Sequence, residues 1–255
     1  MKISNIKNSS ILRFQGRQRS RPGLKIKPAL MAVALIAFSA QAAGALETTR
    51  NPREEYWLRI ARLKYGGGGD WYADPSSIPN WLAEFEKRTG IKTFGEEKVV
   101  TAIDENIRAY PFLYMTGHGT VRFTDEEISA LRDYMEQGGF LYADDCYGMD
   151  KSFRAMVKKI FPEKDLVELP NSHPIYKVYY DLPGLPKIHK HNDMPPQGFG
   201  IKVDGRLALF YTYETDIGDG LEDERVHRDS PEKRELAVKM AVNILMYSIV
   251  QNALP

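Results

Sequence analysis

The apolar positions of this chain switch repeatedly between short uninterrupted runs and a helical period, and the order of those switches predicts a layered α/β fold. Residues 56–65 (YWLRIARLKY) offer Leu58, Ile60 and Leu63 to a core and stop at four consecutive glycines, 66–69, a first strand ending in a mobile loop. Ser77, Pro79, Trp81, Leu82 and Phe85 then mark a helix that Gly90 ends. Residues 99–103 form a short second strand. The run PFLYMT at 111–116 is apolar without alternation, as a strand covered on both faces in the middle of a parallel sheet should be.

Thr124-Asp125-Glu126-Glu127 has the form of a capping box, and Ile128, Leu131 and Met135 follow at helical spacing until Gly138-Gly139. Residues 140–143 are the next buried strand and Asp144-Asp145-Cys146-Tyr147-Gly148 its turn. Phe153, Met156, Val157 and Ile160 give the stripe of another helix, closed by Pro162. Residues 171–199, rich in proline and histidine, read as a long irregular surface loop. Residues 201–203, Asp204-Gly205 and 207–213 fit a two-residue hairpin, since Asp-Gly tolerates positive φ angles. Residues 213–228 read as a solvated acidic loop. Ser230-Pro231-Glu232 opens a last helix with Leu236, Met240, Ile244 and Tyr247 on its apolar face. The expectation is a mostly parallel sheet with helices on both faces, flavodoxin-like, carrying a β-hairpin and a C-terminal helix.

The N-terminal pattern is of another kind. A basic stretch precedes the apolar run at 29–40 (ALMAVALIAFSA), and Ala40-Gln41-Ala42 follows. That order reads as a secretory signal peptide over 1–42, cleaved after Ala42, because spanning a bilayer takes about twenty apolar residues. An uncleaved membrane anchor is the alternative, and would give the only membrane contact. A linker over 43–54 and a single domain over 55–251 complete the organisation, in keeping with a length of 255 residues. The expected location is the periplasm or the medium.

Charge changes the picture once the signal is removed. Residues 1–42 hold eight Lys or Arg and no acid, so 27 basic and 34 acidic residues remain, a net of about −7. No basic patch survives to hold phosphates, which excludes nucleic acid as a partner. Cys146 is the one cysteine and cannot form an internal disulfide; a buried small apolar group is the plain reading.

In open α/β sheets ligands sit beyond the carboxyl ends of the strands. That rule selects Gly68, Asp70, Trp71 and Tyr72 after the first strand, Gly117-His118-Gly119 after the third, and Asp144-Asp145-Cys146 after the fourth. The glycine run lacks the Gly-Lys-Ser/Thr of a phosphate loop, and the bulk of Trp71-Tyr72 suits a sugar ring or a packed lid. His118 with Asp144 or Asp145 could act as acid and base, or share a divalent metal. Neighbouring strand residues face opposite ways, so only one of the two aspartates can aim into the crevice. His173, His189 and His191 read as loop features, and Asp216, Asp219, Glu222, Asp223 and Glu224 do not match a calcium loop.

The runs RIARLKYGGGGDWY (59–72), YPFLYMTGHG (110–119), GGFLYADDC (138–146) and SHPIY (172–176), in this order, resemble the family catalogued as domain of unknown function 4159. The resemblance covers about residues 55–250. It implies a fold similar to the class I glutamine amidotransferase-like superfamily, which includes trehalose-utilisation-type proteins, and brings no established activity. Those amidotransferases place a nucleophilic Cys in Gly-x-Cys-x-Gly and use a distant His-x-Glu. Here Cys146 and Gly148 match, Asp144 replaces the first glycine, and no His-x-Glu occurs. Glutaminase chemistry is therefore not expected. The leading expectation is an exported, non-catalytic module binding a small molecule or an envelope protein at a polar crevice. The rivals are a periplasmic hydrolase using His118 with Asp144 or Asp145, with or without a metal, and a component of an envelope assembly. No cofactor is required by the sequence; a divalent metal is the one it admits.

Overall fold

The computed structural model describes residues 57–254. The expected signal segment, 1–42, and linker, 43–54, lie outside the described residues. Seven strands form one sheet: β1 (Ile60–Leu63), β2 (Lys98–Val100), β3 (Phe112–His118), β4 (Phe140–Tyr147), β5 (Val167–Glu168), β6 (Gln197–Val203) and β7 (Arg206–Tyr213). Their order is β2-β1-β3-β4-β7-β6-β5, with β2, β1, β3, β4 and β7 mutually parallel, β6 reversed, and β5 paired antiparallel to β6 and so running with the other five. The parallel part is the flavodoxin-like order, so the expected fold class is found.

Helices α1 (Ser77–Thr89) and α6 (Pro231–Val250) cover one face, and α2 (Asp125–Glu136) and α3 (Asp150–Ile160) the other. Two short helices, α4 (Ile217–Leu221) and α5 (Glu224–His227), precede α6. The α1/α6 face is floored by aromatic side chains in register. Phe112 lies beside Phe140, and Tyr114, Tyr142 and Phe210 continue across three strands with ring centroids 5.3–5.8 Å apart. Trp81 of α1 stands edge-on to Phe112, Tyr114 and Tyr142, and its indole N–H donates to the Ala241 carbonyl of α6 at 2.9 Å. Helix, sheet and C-terminal helix are thus joined at one residue.

The local signals with a strict geometric demand are obeyed. Thr124 and Glu127 close the capping box reciprocally. Ser230 accepts from the Lys233 N–H, with Pro231 in the first turn. Asp204 and Gly205 both have positive φ, 50° and 81°, in the β6–β7 turn.

Several expectations are corrected. The turn after the fourth strand begins later than expected: Asp144 pairs with Thr116 and Thr212, and Asp144, Asp145 and Cys146 all belong to β4. His118 is the last residue of β3, not part of a free loop. The glycine run is not a mobile loop either, because Gly66 exchanges backbone hydrogen bonds with Arg122, and Gly69 and Asp70 donate to the Thr120 and His118 carbonyls. Residues 171–196 are irregular and largely exposed as expected, but not a plain surface loop: Ile175, Tyr176, Val178, Leu182 and Ile188 are buried against α6 and the sheet, and 197–199 begin β6. Residues 214–222 are not a solvated acidic loop, since Ile217 and Leu221 dock α4 in the core and draw Glu214, Asp216, Asp219 and Glu222 in with them, whereas Asp223, Glu224 and the rest to residue 228 are exposed as expected. Leu236 is exposed, so the buried stripe of α6 starts at Ala237 and Met240.

Candidate functional site

The chain leaves β1 for α1 on one face and β3 for α2 on the other, so a crevice opens between the carboxyl ends of these two neighbours. Gly66–Asp70 and Gly117-His118 form its walls. The Asp70 carboxylate takes the His118 backbone N–H on Oδ1, and its Oδ2 lies 3.1 Å from the ring Nδ1 of His118. The His118 side chain is about half exposed, at 48%. Gly117 has φ +138°, and a Cβ there would run into the Tyr65 hydroxyl and into Asp70. Gly68 is exposed, and Gly119 donates to the Tyr147 carbonyl at 3.2 Å, tying the ends of β3 and β4. Trp71 packs half-buried against the sheet edge under the Lys64 ammonium, 5.3 Å from the ring, and Tyr72 stands edge-on to it in solvent.

Asp144 and Asp145 part company as strand alternation requires. Asp145 turns to the α2/α3 face, where it accepts from the Met149 N–H and the Tyr211 hydroxyl, both at 3.1 Å. It thereby orders the entry to α3. Asp144 turns to the α1/α6 face, accepting from Thr212 Oγ1 at 2.5 Å and the Gly218 N–H at 2.7 Å. Burial pushes its carboxyl up to about 7 against those two donors. Cys146 is buried on that same face, with Thr116 Oγ1 at 3.1 Å and Asp74 Oδ2 at 3.5 Å. Burial, with the charges of Asp74, Asp219 and Asp144, holds its thiol well above the usual range. A thiol so placed is a poor nucleophile.

Sequence reasoning missed the other half of this edge. Asp74, Asp144, Asp216 and Asp219 are buried together at the carboxyl ends of β3, β4 and β7. Asp216 and Asp219 both face histidines. His189 Nδ1 is 2.6 Å from Asp219 Oδ2, and its Nε2 is 2.9 Å from Asp229. His227 Nδ1 is 3.6 Å from the same Asp219 oxygen, and His191 Nε2 is 3.0 Å from Asp216 Oδ2. Four of the five histidines in the chain, His118 included, therefore face a carboxylate at this one edge. The His191 ring also lies 4.9 Å from that of Tyr147, which extends the rim.

The carboxylates divide into acids and anions. Asp74 is driven well up by burial and by Asp219, with which it shares a hydrogen bond, and is the protonated partner. In Asp219 burial works upward too, but the hydrogen bond and charge of His189 and the charge of His227 outweigh it and leave the carboxyl below its ordinary range. Asp216 is pushed up to about 10 by burial and by the surrounding aspartates. Asp74, Glu214 and Asp216 also account for three of the five non-glycine residues with positive φ among the described residues. Such conformations cost about 1–3 kcal/mol each and collect at functional sites. Gly218 is a close-approach position, since a Cβ there would meet the Asp74 carboxyl and the Tyr114 hydroxyl.

Two groups among the described residues could hold a metal ion: His189, Asp219 and His227, and Asp74, Cys146 and Asp219. A sequence signal for the first existed in the His189-Lys190-His191 pair and in the apolar Ile217 and Leu221 threaded through the acidic run.

The sequence model of the family described as "Domain of unknown function (DUF4159)" matches residues 59–249. The chain belongs to this family. The matched span contains the whole sheet, so the crevice and the buried carboxylates both fall inside the DUF4159 domain. No curated protein matches the chain.

Proposed function

We propose that this DUF4159 protein is an exported, non-catalytic ligand-binding domain whose site is the carboxyl edge of the sheet. The gathering of His189, His191 and His227 against the buried Asp216 and Asp219, beside the His118–Asp70 pair at the rim, carries this reading. Anionic groups packed in a low-dielectric interior need either protons or a cation to offset them. The ligand is accordingly a divalent metal or a small molecule presenting positive charge or hydroxyls, with Asp70, His118, Tyr147 and His191 at the mouth. The Cys146 thiol lacks a base, and both Asp144 oxygens are already engaged, which supports binding without turnover.

One observation favours a second reading, a hydrolase. Asp70 orients His118 through Nδ1 and leaves Nε2 toward solvent, as a general base held by a carboxylate would be. In this version the partner of His118 is Asp70, in place of Asp144 or Asp145.

Thermal unfolding of the full chain with Zn²⁺, Ca²⁺ and spermidine tests the proposal. A specific ligand at 100 times its Kd stabilises the native state by about 2.7 kcal/mol. A higher midpoint with one of these probes is expected; no shift with any of them overturns the reading. Turnover of a glycoside or ester, lost in His118→Ala, would favour the hydrolase. Export predicts a mature N-terminus near residue 43 in the envelope or periplasmic fraction, read by mass spectrometry.

A further inference from the structure

We propose that His189 Nδ1, His227 Nδ1 and Asp219 Oδ2 form a site for a divalent first-row transition metal, with Asp229 fixing His189 from behind. The inference rests on the reading of this edge as a ligand site and names the ligand. The three donor atoms all lie within 4.8 Å of one another. A tetrahedral ion with bonds of about 2.0–2.2 Å holds its ligand atoms about 3.3–3.6 Å apart. The His227–Asp219 separation of 3.6 Å is already in that range, and the His189–Asp219 contact of 2.6 Å opens by under about 1 Å on replacing a shared proton with an ion.

Four further features support the site. His189 Nε2 is 2.9 Å from both oxygens of Asp229, a carboxylate with 5% of its side chain exposed, which leaves Nδ1 to coordinate. Such an outer carboxylate fixes tautomer and ring orientation in metal-binding histidines. Asp216 belongs to the same cluster and is fully buried, yet neither of its oxygens has a hydrogen-bond partner, although His191 Nε2 stands 3.0 Å from one of them. Buried polar groups ordinarily have a partner, so an unpartnered carboxyl beside the donor set points to a ligand at this edge. The His227 side chain is 29% exposed, so the ion has an entry path and an open coordination position. Finally, two imidazoles and a single carboxylate suit zinc, cobalt, nickel or iron(II) better than magnesium or calcium, which take oxygen ligands.

The alternative set, Asp74, Cys146 and Asp219, is buried throughout and filled by its own hydrogen bonds to Thr116 and between the carboxyls. The two sets share Asp219, whose Oδ2 faces the histidines and whose Oδ1 lies 3.9 Å from Cys146. The outer set is the one an ion can reach.

Titration calorimetry of the chelator-treated full chain with Zn²⁺, and the visible absorption of Co²⁺, test this site. One Zn²⁺ per chain is expected, with an intense Co²⁺ band of a four- or five-coordinate ion and no competition from tenfold excess Mg²⁺. His227→Gln, at a partly exposed position compatible with folding, should weaken Zn²⁺ binding at least about tenfold, and Asp229→Asn by about 10–100-fold. His173→Gln, at the one histidine away from this edge, should leave it unchanged. Zn²⁺ binding that survives both His227→Gln and His189→Gln overturns this site while leaving the edge a ligand site. Equal binding of Mg²⁺ overturns the metal class. No binding of any ion overturns the inference, and if spermidine also fails to stabilise the chain the broader reading falls with it.

Discussion

Arg62 and Glu97 form a two-pronged ion pair beneath the loop that carries the crevice, with Nε–Oε1 at 2.6 Å and Nη2–Oε2 at 3.2 Å. Arg62 is 1% exposed on β1, and its remaining N–H groups donate to the Ala73 and Asp74 carbonyls at 2.6 and 2.9 Å. One guanidinium thus fixes the backbone of Asp74, a residue held at φ +55°. The aspartate cluster depends on this strut.

Replacing Arg62 by Met should therefore cost more than a surface ion pair. Removing one partner of a buried pair costs about 3–5 kcal/mol, and the partial exposure of Glu97, 21%, reduces this to about 2–4 kcal/mol. Urea denaturation of Arg62→Met and Glu97→Gln would show it, with the larger loss in Arg62→Met because two backbone carbonyls lose their donor as well. Equal, small losses would mean that the loop holds Asp74 without help.

Asp144 gives the fold a definite pH response. Its native carboxyl is pushed up to about 7 by burial, against about 3.9 in an unfolded chain. Between those values the native state keeps a proton that the unfolded state has lost, so stability falls as pH rises through the window and levels off above 7. Asp144→Asn keeps an acceptor for Gly218 and can donate to Thr212, mimicking the protonated acid. The variant should match the parent near pH 4 and become the more stable of the two, by a few kcal/mol, above pH 7, at about 1.36 kcal/mol per unit of displacement. Unfolding free energies from pH 4 to 8.5 in the presence of chelator would check this, and a flat difference between the two proteins would refute it.

Asp144 and Asp145 also show what could be read in advance. Alternation along a strand separates Asp144 from Asp145 without any coordinates, and the capping box at Thr124 and the Asp204-Gly205 turn state their geometry in the residues themselves. The order of apolar runs likewise contains the parallel sheet. What the sequence does not show is the burial of charge. Asp216 and Asp219 look solvated because acidic side chains are ordinarily outside, and only the docking of Ile217 and Leu221 beneath α6 carries them inward. His189 and His227 stand 30 and 8 residues from Asp219, a separation that no local motif encodes. Asp74 was likewise invisible, since its place depends on Arg62 and on the close approach of Gly218.

Cys146 should be inert in the folded protein. It is 2% exposed, and its thiol is held well above the usual range by burial and three nearby aspartates. Labelling with iodoacetamide at pH 8 is expected to be slow in native buffer and complete in urea, with the native rate tracking unfolding. Fast native labelling would reopen a thiol mechanism for this edge.

Gly117 and Gly68 both have positive φ and both border the crevice, yet they should differ in what a methyl group costs. At Gly117, φ +138°, a Cβ would meet the Tyr65 hydroxyl and the carbonyl and carboxylate oxygens of Asp70. Moving Asp70 would loosen His118, and moving Tyr65 would break its hydrogen bond to the Thr116 carbonyl at 3.1 Å. Overpacking adds about 1–3 kcal/mol to the backbone strain of about 1–3 kcal/mol. At Gly68, φ +90°, a Cβ would meet nothing within 4 Å, so the strain stands alone. Gly117→Ala is therefore expected to lower the unfolding free energy by about 2–6 kcal/mol. Gly68→Ala should lower it by about half as much, and its crevice should stay intact. Denaturation curves of the two variants test the contrast, and an equal loss in both would show that the Gly117 neighbours yield freely and that Asp70 is not held in place by the backbone of β3.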